Sequence, residues 1–160
     1  MIKIWVDDER EMPYDYTHLA RSVNYVFWLI RDFYYYDYDI EVSLDHDAGK
    51  YVNLGGDYIK ILERLEETCY ENPNFRDYIR DKVTFHLHTA NPVGRDNMRR
   101  IIQKNGWKES MKDLNEGTFS YFQNSISSCL GKSELYDLQY EISENKYLTD
   151  DQKDELKEIS

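Results

Sequence analysis

Cysteine, proline and glycine are all scarce in this chain of 160 residues, at two, three and seven. Cys69 and Cys129 stand far apart and make neither a disulfide scaffold nor a metal knuckle. No low-complexity linker and no internal repeat interrupts the sequence. Long apolar runs are missing as well: nothing approaches the roughly 18–20 residues of a membrane span, and the opening Met-Ile-Lys-Ile-Trp-Val is too short for a signal sequence. A reduced, cytoplasmic chain with no membrane partner is the expectation. Positive charge is in deficit, with 20 basic against 31 acidic side chains and a net charge of -11. Bulk DNA or RNA binding, which draws most of its affinity from phosphate neutralisation, is therefore not expected. Walker-type loops, Gly-x-Ser-x-Gly elbows and dinucleotide fingerprints are absent too.

What is present is a globular composition, 41% hydrophobic and 32% charged, at a length that fits one domain or one domain with a small appendage. Ile2-Lys3-Ile4-Trp5-Val6 reads as a strand running into Asp7-Asp8-Glu9. A helical stripe of Leu19, Val23, Val26, Phe27, Ile30 and Phe33 follows. A second strand, Ile40 to Leu44, runs into Asp45-His46-Asp47, and residues 49–56 read as a loop. Tyr58, Ile61, Leu62, Leu65 and Cys69 make the next helical stripe, which Asn72-Pro73-Asn74 breaks or ends. A third strand, Val83 to His88, leads into Thr89-Ala90-Asn91-Pro92 and a helix marked by Met98, Ile101 and Ile102 that stops near Asn105-Gly106. Strand and helix alternating three times predict a parallel α/β sheet with right-handed crossovers.

Beyond that, Thr118 to Phe122 reads as a fourth strand, and residues 133–160 as two short helices, the second opened by a Thr149/Gln152 capping box. The expected division is an α/β domain over 1–117 and a C-terminal extension over 118–160. Residues 81–117 form the one stretch with more basic than acidic groups, and residues 131–160 are acidic again.

Each strand delivers polar residues just past its carboxyl end, the edge where open parallel sheets bind ligands. Asp7, Asp8, Asp45 and Asp47 would crowd several carboxylates into one small volume, which requires a cation or raised pKa values. Oxygen donors of this kind suit Mg²⁺ or Mn²⁺; the same acids also serve helix caps and loop hydrogen bonds. His46 and His88 are acid–base or ligand candidates, whereas His86, deeper in its strand, reads as a hydrogen-bonded core histidine. His86 to Thr89 does not supply the two separated motifs of a two-histidine phosphoesterase, and His46-Asp47 alone does not indicate a helical phosphohydrolase. Asn91 and Gly94 open a helix whose amino terminus suits a phosphate, while Arg95, Arg99 and Arg100 beyond it read as a solvated face. The aromatic run Phe33 to Tyr38 reads either as a partner surface or as rings covering the sheet edge.

Four motifs in order, Trp5 to Arg10, Ser43 to Gly49, Gly56-Asp57, and His88 to Gly94 with Asn97-Met98, resemble a bacterial and phage family of receiver-like domains described as cyclic-phosphate-processing. The likeness spans about residues 1–105. It implies a receiver-like (flavodoxin-type) parallel sheet flanked by helices, here with a C-terminal helical extension. It also implies that Asp7-Asp8 match a receiver's acidic pair, that Asp45 sits at the phosphoacceptor position, and that Thr89 falls near the receiver's hydroxyl. His46 and His88 belong to the pattern of this family and not to ordinary receivers. A receiver's late-strand lysine has no counterpart, since Lys104 and Lys108 lie on or after a helix.

The expectation from residues and resemblance together is a metal-dependent phosphoesterase acting on a cyclic phosphate of a nucleotide or RNA end. Asp7, Asp8, Asp45 and Asp47 would hold Mg²⁺ or Mn²⁺, His46, His88 and Asp45 would carry the chemistry, and Asn91 and Gly94 would hold phosphate. The alternative is a non-enzymatic binding module, a phage-type inhibitor that sequesters a nucleotide signal or binds a host protein through its acidic surface and residues 131–160. A receiver phosphorylated on Asp45 is the remaining reading.

Overall fold

The computed structural model describes residues 1–111, 114–129 and 131–160, which divide into two compact units. The first comprises residues 1–12 and 16–111, the second residues 13–15 and 112–160.

In the first unit five parallel strands form one sheet. They are β1 (Ile2–Val6), β2 (His18–Ala20), β3 (Ile40–Leu44), β4 (Val83–Leu87) and β5 (Lys108–Ser110), in the spatial order β2-β1-β3-β4-β5. This is the flavodoxin-type order, which reverses between β1 and β3. The helices are α1 (Val23–Tyr35), α2 (Ile59–Glu71), α3 (Pro73–Lys82) and α4 (Pro92–Lys104), and a 3₁₀ turn spans Gly49–Leu54. Register fixes the site. Val6 lies opposite both Ala20 and Leu44, and Leu44 opposite Leu87. Ladder-type bonds continue one step further, from the Asp45 amide to the Val6 carbonyl (2.9 Å) and from the His88 amide to the Leu44 carbonyl (3.0 Å).

Side chains alternate across a strand, so the sheet has two unlike faces. Ile4, Val6, Val42, Leu44 and Phe85 join the apolar core with Val26, Ile30, Ile61, Leu62, Leu65 and Met98 from the helices. The other face carries the cross-strand row Trp5, Ser43 and His86, preceded by Glu41 and followed two residues on by Asp7, Asp45 and His88. Glu41 and Ser43 are nonetheless buried, and Glu41 accepts a hydrogen bond from the Tyr16 hydroxyl at 3.0 Å.

Local chemistry explains the element ends. Ser22 caps α1 by accepting from the Tyr25 amide. Asn72 ends α2 and caps α3, with Pro73 at the first helical position, where a missing N–H costs nothing. The expected break is therefore a junction between two helices. Three further readings are corrected. Leu19 belongs to the short edge strand β2 and not to the α1 stripe, the loop over 49–56 contains a 3₁₀ turn, and Lys108 to Ser110 add a strand after α4. The aromatic run splits: Phe33 is buried and Tyr34 packs edge-on against Phe75 at 5.1 Å, while Tyr35, Tyr36 and Tyr38 are exposed.

The second unit contains α5 (Leu114–Ser127), α6 (Lys132–Glu144) and α7 (Asp150–Ile159). Residues 118–122 are thus helical and not a strand. Thr118 and Phe122, four apart on one helix face, are both buried, so period 3.6 governs here and not the alternation of aromatic and hydroxyl residues. Phe122, Leu138, Ile142, Leu148 and Leu156 form the core, and Tyr14 adds its ring against Phe122 at 5.2 Å. The capping box of Thr149 and Gln152 opens α7.

Candidate active site at the β1/β3 crevice

Asp7, Asp8 and Asp45 each offer a carboxylate oxygen within 4.8 Å of the others, at the point where strand order reverses and open α/β sheets bind ligands. Asp7 is buried. Its Oδ1 accepts from the amides of Glu9 (2.9 Å) and Arg10 (2.8 Å), and its Oδ2 accepts from His88 Nε2 at 2.9 Å. Arg10 Nη1 stands 3.5 Å from the same Oδ2. Burial alone would raise the Asp7 carboxyl; the hydrogen bonds from His88, Arg10 and Glu9 outweigh it and hold the group at about 2. Asp8 is pushed the other way, by burial first and then by the negative charges of Glu9, Asp7 and Asp45, against the pull of its own amide. The third acid, Asp45, accepts from the His46 amide at 2.8 Å.

His88 lies behind this cluster. Its side chain is 1% exposed, and its ring stacks on Trp5 with centroids 3.6 Å apart and planes 9° from parallel. Burial pushes its imidazole below the usual histidine range despite the neighbouring Asp7. Burial thus favours the neutral ring, whose contact with Asp7 is a hydrogen bond from Nε2 to the carboxylate. Its Nδ1 lies 2.8 Å from Ser43 Oγ, which in turn lies 2.7 Å from His86 Nδ1. The expected core role of His86 therefore comes with a partner that also touches His88. Arg10 Nη1 donates to the His88 carbonyl and Arg21 Nη1 to the Asp7 carbonyl, at 3.1 and 2.9 Å.

On the other side, His46 Nδ1 is 2.8 Å from Asp47 Oδ1. Asp47 is exposed and lies outside the three-carboxylate group; its partner is the imidazole beside it. The His46 ring lies on the first turn of α4, so close that a Cβ on Gly94 would stand 2.4 Å from His46 Cδ2. Asn91 caps that helix by accepting from the Gly94 amide at 3.0 Å, and Thr89 Oγ1 accepts from the Asn91 amide. With Pro92 bringing no N–H and Gly94 engaged, the turn offers an anion its dipole and the Val93 amide. Arg95 donates to the Thr89 carbonyl, Arg99 pairs with Glu109 at 2.8 Å and Arg100 Nη1 lies 3.5 Å from Asn97 Oδ1.

Lys108 opens β5, but its Nζ donates to the Asp81 carbonyl before the start of β4, at the strand end opposite the acids. An open cleft of about 410 Å³, lined by Asp8, Glu9, Arg21, Gly49, Lys50 and Tyr51, adjoins the acids. Gly49, at φ +53°, leaves room for Asp8, whose Oδ2 would be 2.2 Å from a Cβ there.

Sequence reasoning did not single out Ser43, Arg10, Arg21 or Gly49 as site residues. Ser43 had a signal, a hydroxyl between Val42 and Leu44 and two residues before Asp45 on the same strand face, and Arg10 directly follows the acidic triplet. Arg21 and the φ of Gly49 had none.

A parallel sheet in the flavodoxin order with acids at its switch point defines a receiver-like α/β domain. The family model for the cyclic-phosphate processing Receiver domain matches residues 2–104, well over half of the chain, and the chain belongs to that family. No curated protein and no solved structure matches the chain. Among the described residues no helix is long and apolar enough to cross a membrane.

Proposed function

We propose that the chain is a metal-dependent phosphoesterase that opens a cyclic phosphate, on a nucleotide or an RNA end. The observation that carries this reading is the grouping of Asp7, Asp8 and Asp45 within 4.8 Å at the β1/β3 crevice, in a member of a cyclic-phosphate processing family. The donor set fits Mg²⁺ or Mn²⁺: three hard oxygen ligands, with the Asp8 carboxyl raised in part by its anionic neighbours, a repulsion that a cation would relieve. Bound there, the ion would set positive charge against the phosphoryl oxygens and orient the hydrolytic water.

The other roles follow from which atoms each side chain has left to offer. His46 holds its Nδ1 against Asp47, which leaves Nε2 to take the proton of the attacking water and return it to the leaving ester oxygen. One P–O bond forms, the ring P–O bond breaks, and the proton ends on the released hydroxyl. His88 has both ring nitrogens engaged and positions Asp7. Asp47 positions His46, and the first turn of α4 stabilises the phosphate.

The test is a mass-spectrometric turnover assay with Mg²⁺ and with Mn²⁺. Its substrates are 2′,3′-cyclic nucleotides, cyclic mono- and oligonucleotides, and RNA with a cyclic-phosphate end. Product that requires metal and is lost in Asp45→Asn and His46→Ala is the expected result. Ligand recovered intact from the wild type would replace hydrolysis with sequestration, and neither product nor ligand would shift the search to a protein partner of residues 131–160.

A further inference from the structure

The polar face of the sheet holds four groups in one chain of contacts: His86 Nδ1 to Ser43 Oγ at 2.7 Å, Ser43 Oγ to His88 Nδ1 at 2.8 Å, and His88 Nε2 to Asp7 Oδ2 at 2.9 Å. The strands impose it. Ser43 and His86 are opposite residues on β3 and β4, and His88 follows His86 by two, so all three side chains share one face. Ser43 is fully buried, His86 is 7% exposed, and Asp7 is 1% exposed.

Proton counting orders the chain. Asp7 is an ionised acceptor, so His88 Nε2 carries a hydrogen. A hydroxyl has one proton and can donate to one of the two Nδ1 atoms that flank it. If Ser43 donated to His86, His88 Nδ1 would have to carry a second hydrogen, which would bury an imidazolium. The arrangement without a buried cation is His86 Nδ1–H to Ser43 Oγ, and Ser43 O–H to His88 Nδ1. It also fixes Asp7. Three N–H groups lie on three of the roughly four lone-pair positions of that carboxylate, and Arg10 Nη1 stands 3.5 Å from Oδ2, the oxygen that His88 holds.

We propose that Ser43 and His86 are positioning residues of the site, acting through His88 to hold the Asp7 carboxylate in place for a cation. The inference rests on the reading of Asp7 as a ligand, but the order of the chain can be read without metal. Partners of ligating groups act in this way in metal sites, and losing one costs roughly 10–100-fold in affinity.

The experiment is ¹⁵N NMR of the histidine rings in the metal-free protein at neutral pH, followed by titration with Mn²⁺ alone. In the wild type, His88 is expected with hydrogen on Nε2 and a bare Nδ1, and His86 with hydrogen on Nδ1. Ser43→Ala and His86→Leu, with dispersed amide spectra as the check on folding, should shift the His88 Nδ1 resonance, whose donor is lost or loosened, and weaken Mn²⁺ binding by roughly 10–100-fold. His86→Asn, whose amide can replace the Nδ1 donor, should restore both. Hydrogen on both nitrogens of wild-type His88, or on Nδ1 alone, overturns the proposal; so does Ser43→Ala with His88 and Mn²⁺ affinity unchanged. The wild-type tautomers need no variant, so a misfolded substitution does not shield the idea. A wild type with the expected tautomers and no uptake of Mn²⁺ would sink the metal reading while the hydrogen-bond order stood.

Discussion

Two glycines in the first unit owe their identity to the side chains beside them. Gly94 sits in a helix where alanine is intrinsically favoured by roughly 1 kcal/mol, yet its missing Cβ is what admits His46, whose Cγ would lie 2.5 Å from it. The helix gain and the clash oppose each other, and the partly exposed His46 ring can swing away. Gly94→Ala is therefore expected to keep stability within about 1 kcal/mol by denaturant titration, while moving the His46 ring resonances and abolishing turnover. Unchanged resonances would show that the ring does not depend on this contact. Gly49 differs because its φ of +53° is itself unfavourable for other residues, at roughly 1–2 kcal/mol. Gly49→Ala should lose that stability and also weaken Mn²⁺ binding, since a Cβ there meets Asp8 Oδ2; full Mn²⁺ affinity in a folded variant would count against Asp8 as a ligand. At this scale the acids and His46 were legible because each follows an apolar run. The roles of Ser43 and the two glycines were not, because they are set by neighbours 40 or more positions away in sequence.

Elements were legible in proportion to their length and to how well one periodicity described them. β1, β3 and β4 stand out as apolar runs ending in polar residues. β2 and β5, three residues each at the two sheet edges, are too short to show a period, and pairing to a neighbour creates them. β3 shows the limit of pattern reading: Ile-Glu-Val-Ser-Leu alternates like a half-exposed strand, yet all five residues are buried, Glu41 satisfied by Tyr16 and Ser43 by two histidines. In the second unit, the capping box of α7 was readable from Thr149 and Gln152 because capping is local chemistry. Thr149 Oγ1 accepts from the Gln152 amide at 3.2 Å and the Gln152 side chain accepts from the Thr149 amide at 2.9 Å. Thr149→Ala removes the first of these and should cost about 1 kcal/mol. Amide exchange should quicken in residues 149–153 first, and Thr149→Ser should restore protection. Equal exchange in wild type and variant would mean that the box contributes nothing to α7.

For the whole molecule, the groups displaced upward by burial give an alkaline limit to stability. Burial lifts the Cys69 thiol from 9.0 to about 11 and raises the Tyr58 and Tyr78 hydroxyls above their ordinary value. Next in weight are the negative charges of Asp8, Asp7 and Asp45 for Tyr58, and of Asp37 and Asp39 for Tyr78. Both hydroxyls are tied down, Tyr58 to the Arg21 carbonyl and Tyr78 to the Tyr38 carbonyl, at 2.7 and 2.8 Å. Because all three values are raised on folding, the stability they confer is complete below the ordinary values and is lost as pH climbs from there through the raised ones. Tm should accordingly be level up to about pH 9 and fall above it. Absorbance at 295 nm should show two tyrosines ionising only as the protein unfolds. The thiols report which unit gives way, since Cys69 belongs to the sheet unit and Cys129 to the helical one. At pH 8 a thiol reagent should label the half-exposed Cys129 and spare the buried Cys69, and labelling of Cys69 should begin at the pH where Tm starts to drop. If Cys69 reacts at pH 8 as fast as Cys129, the core around α2 opens more readily than its burial implies. If Tm holds level to pH 11 with every tyrosine ionised, then burial does not set the alkaline limit of this fold.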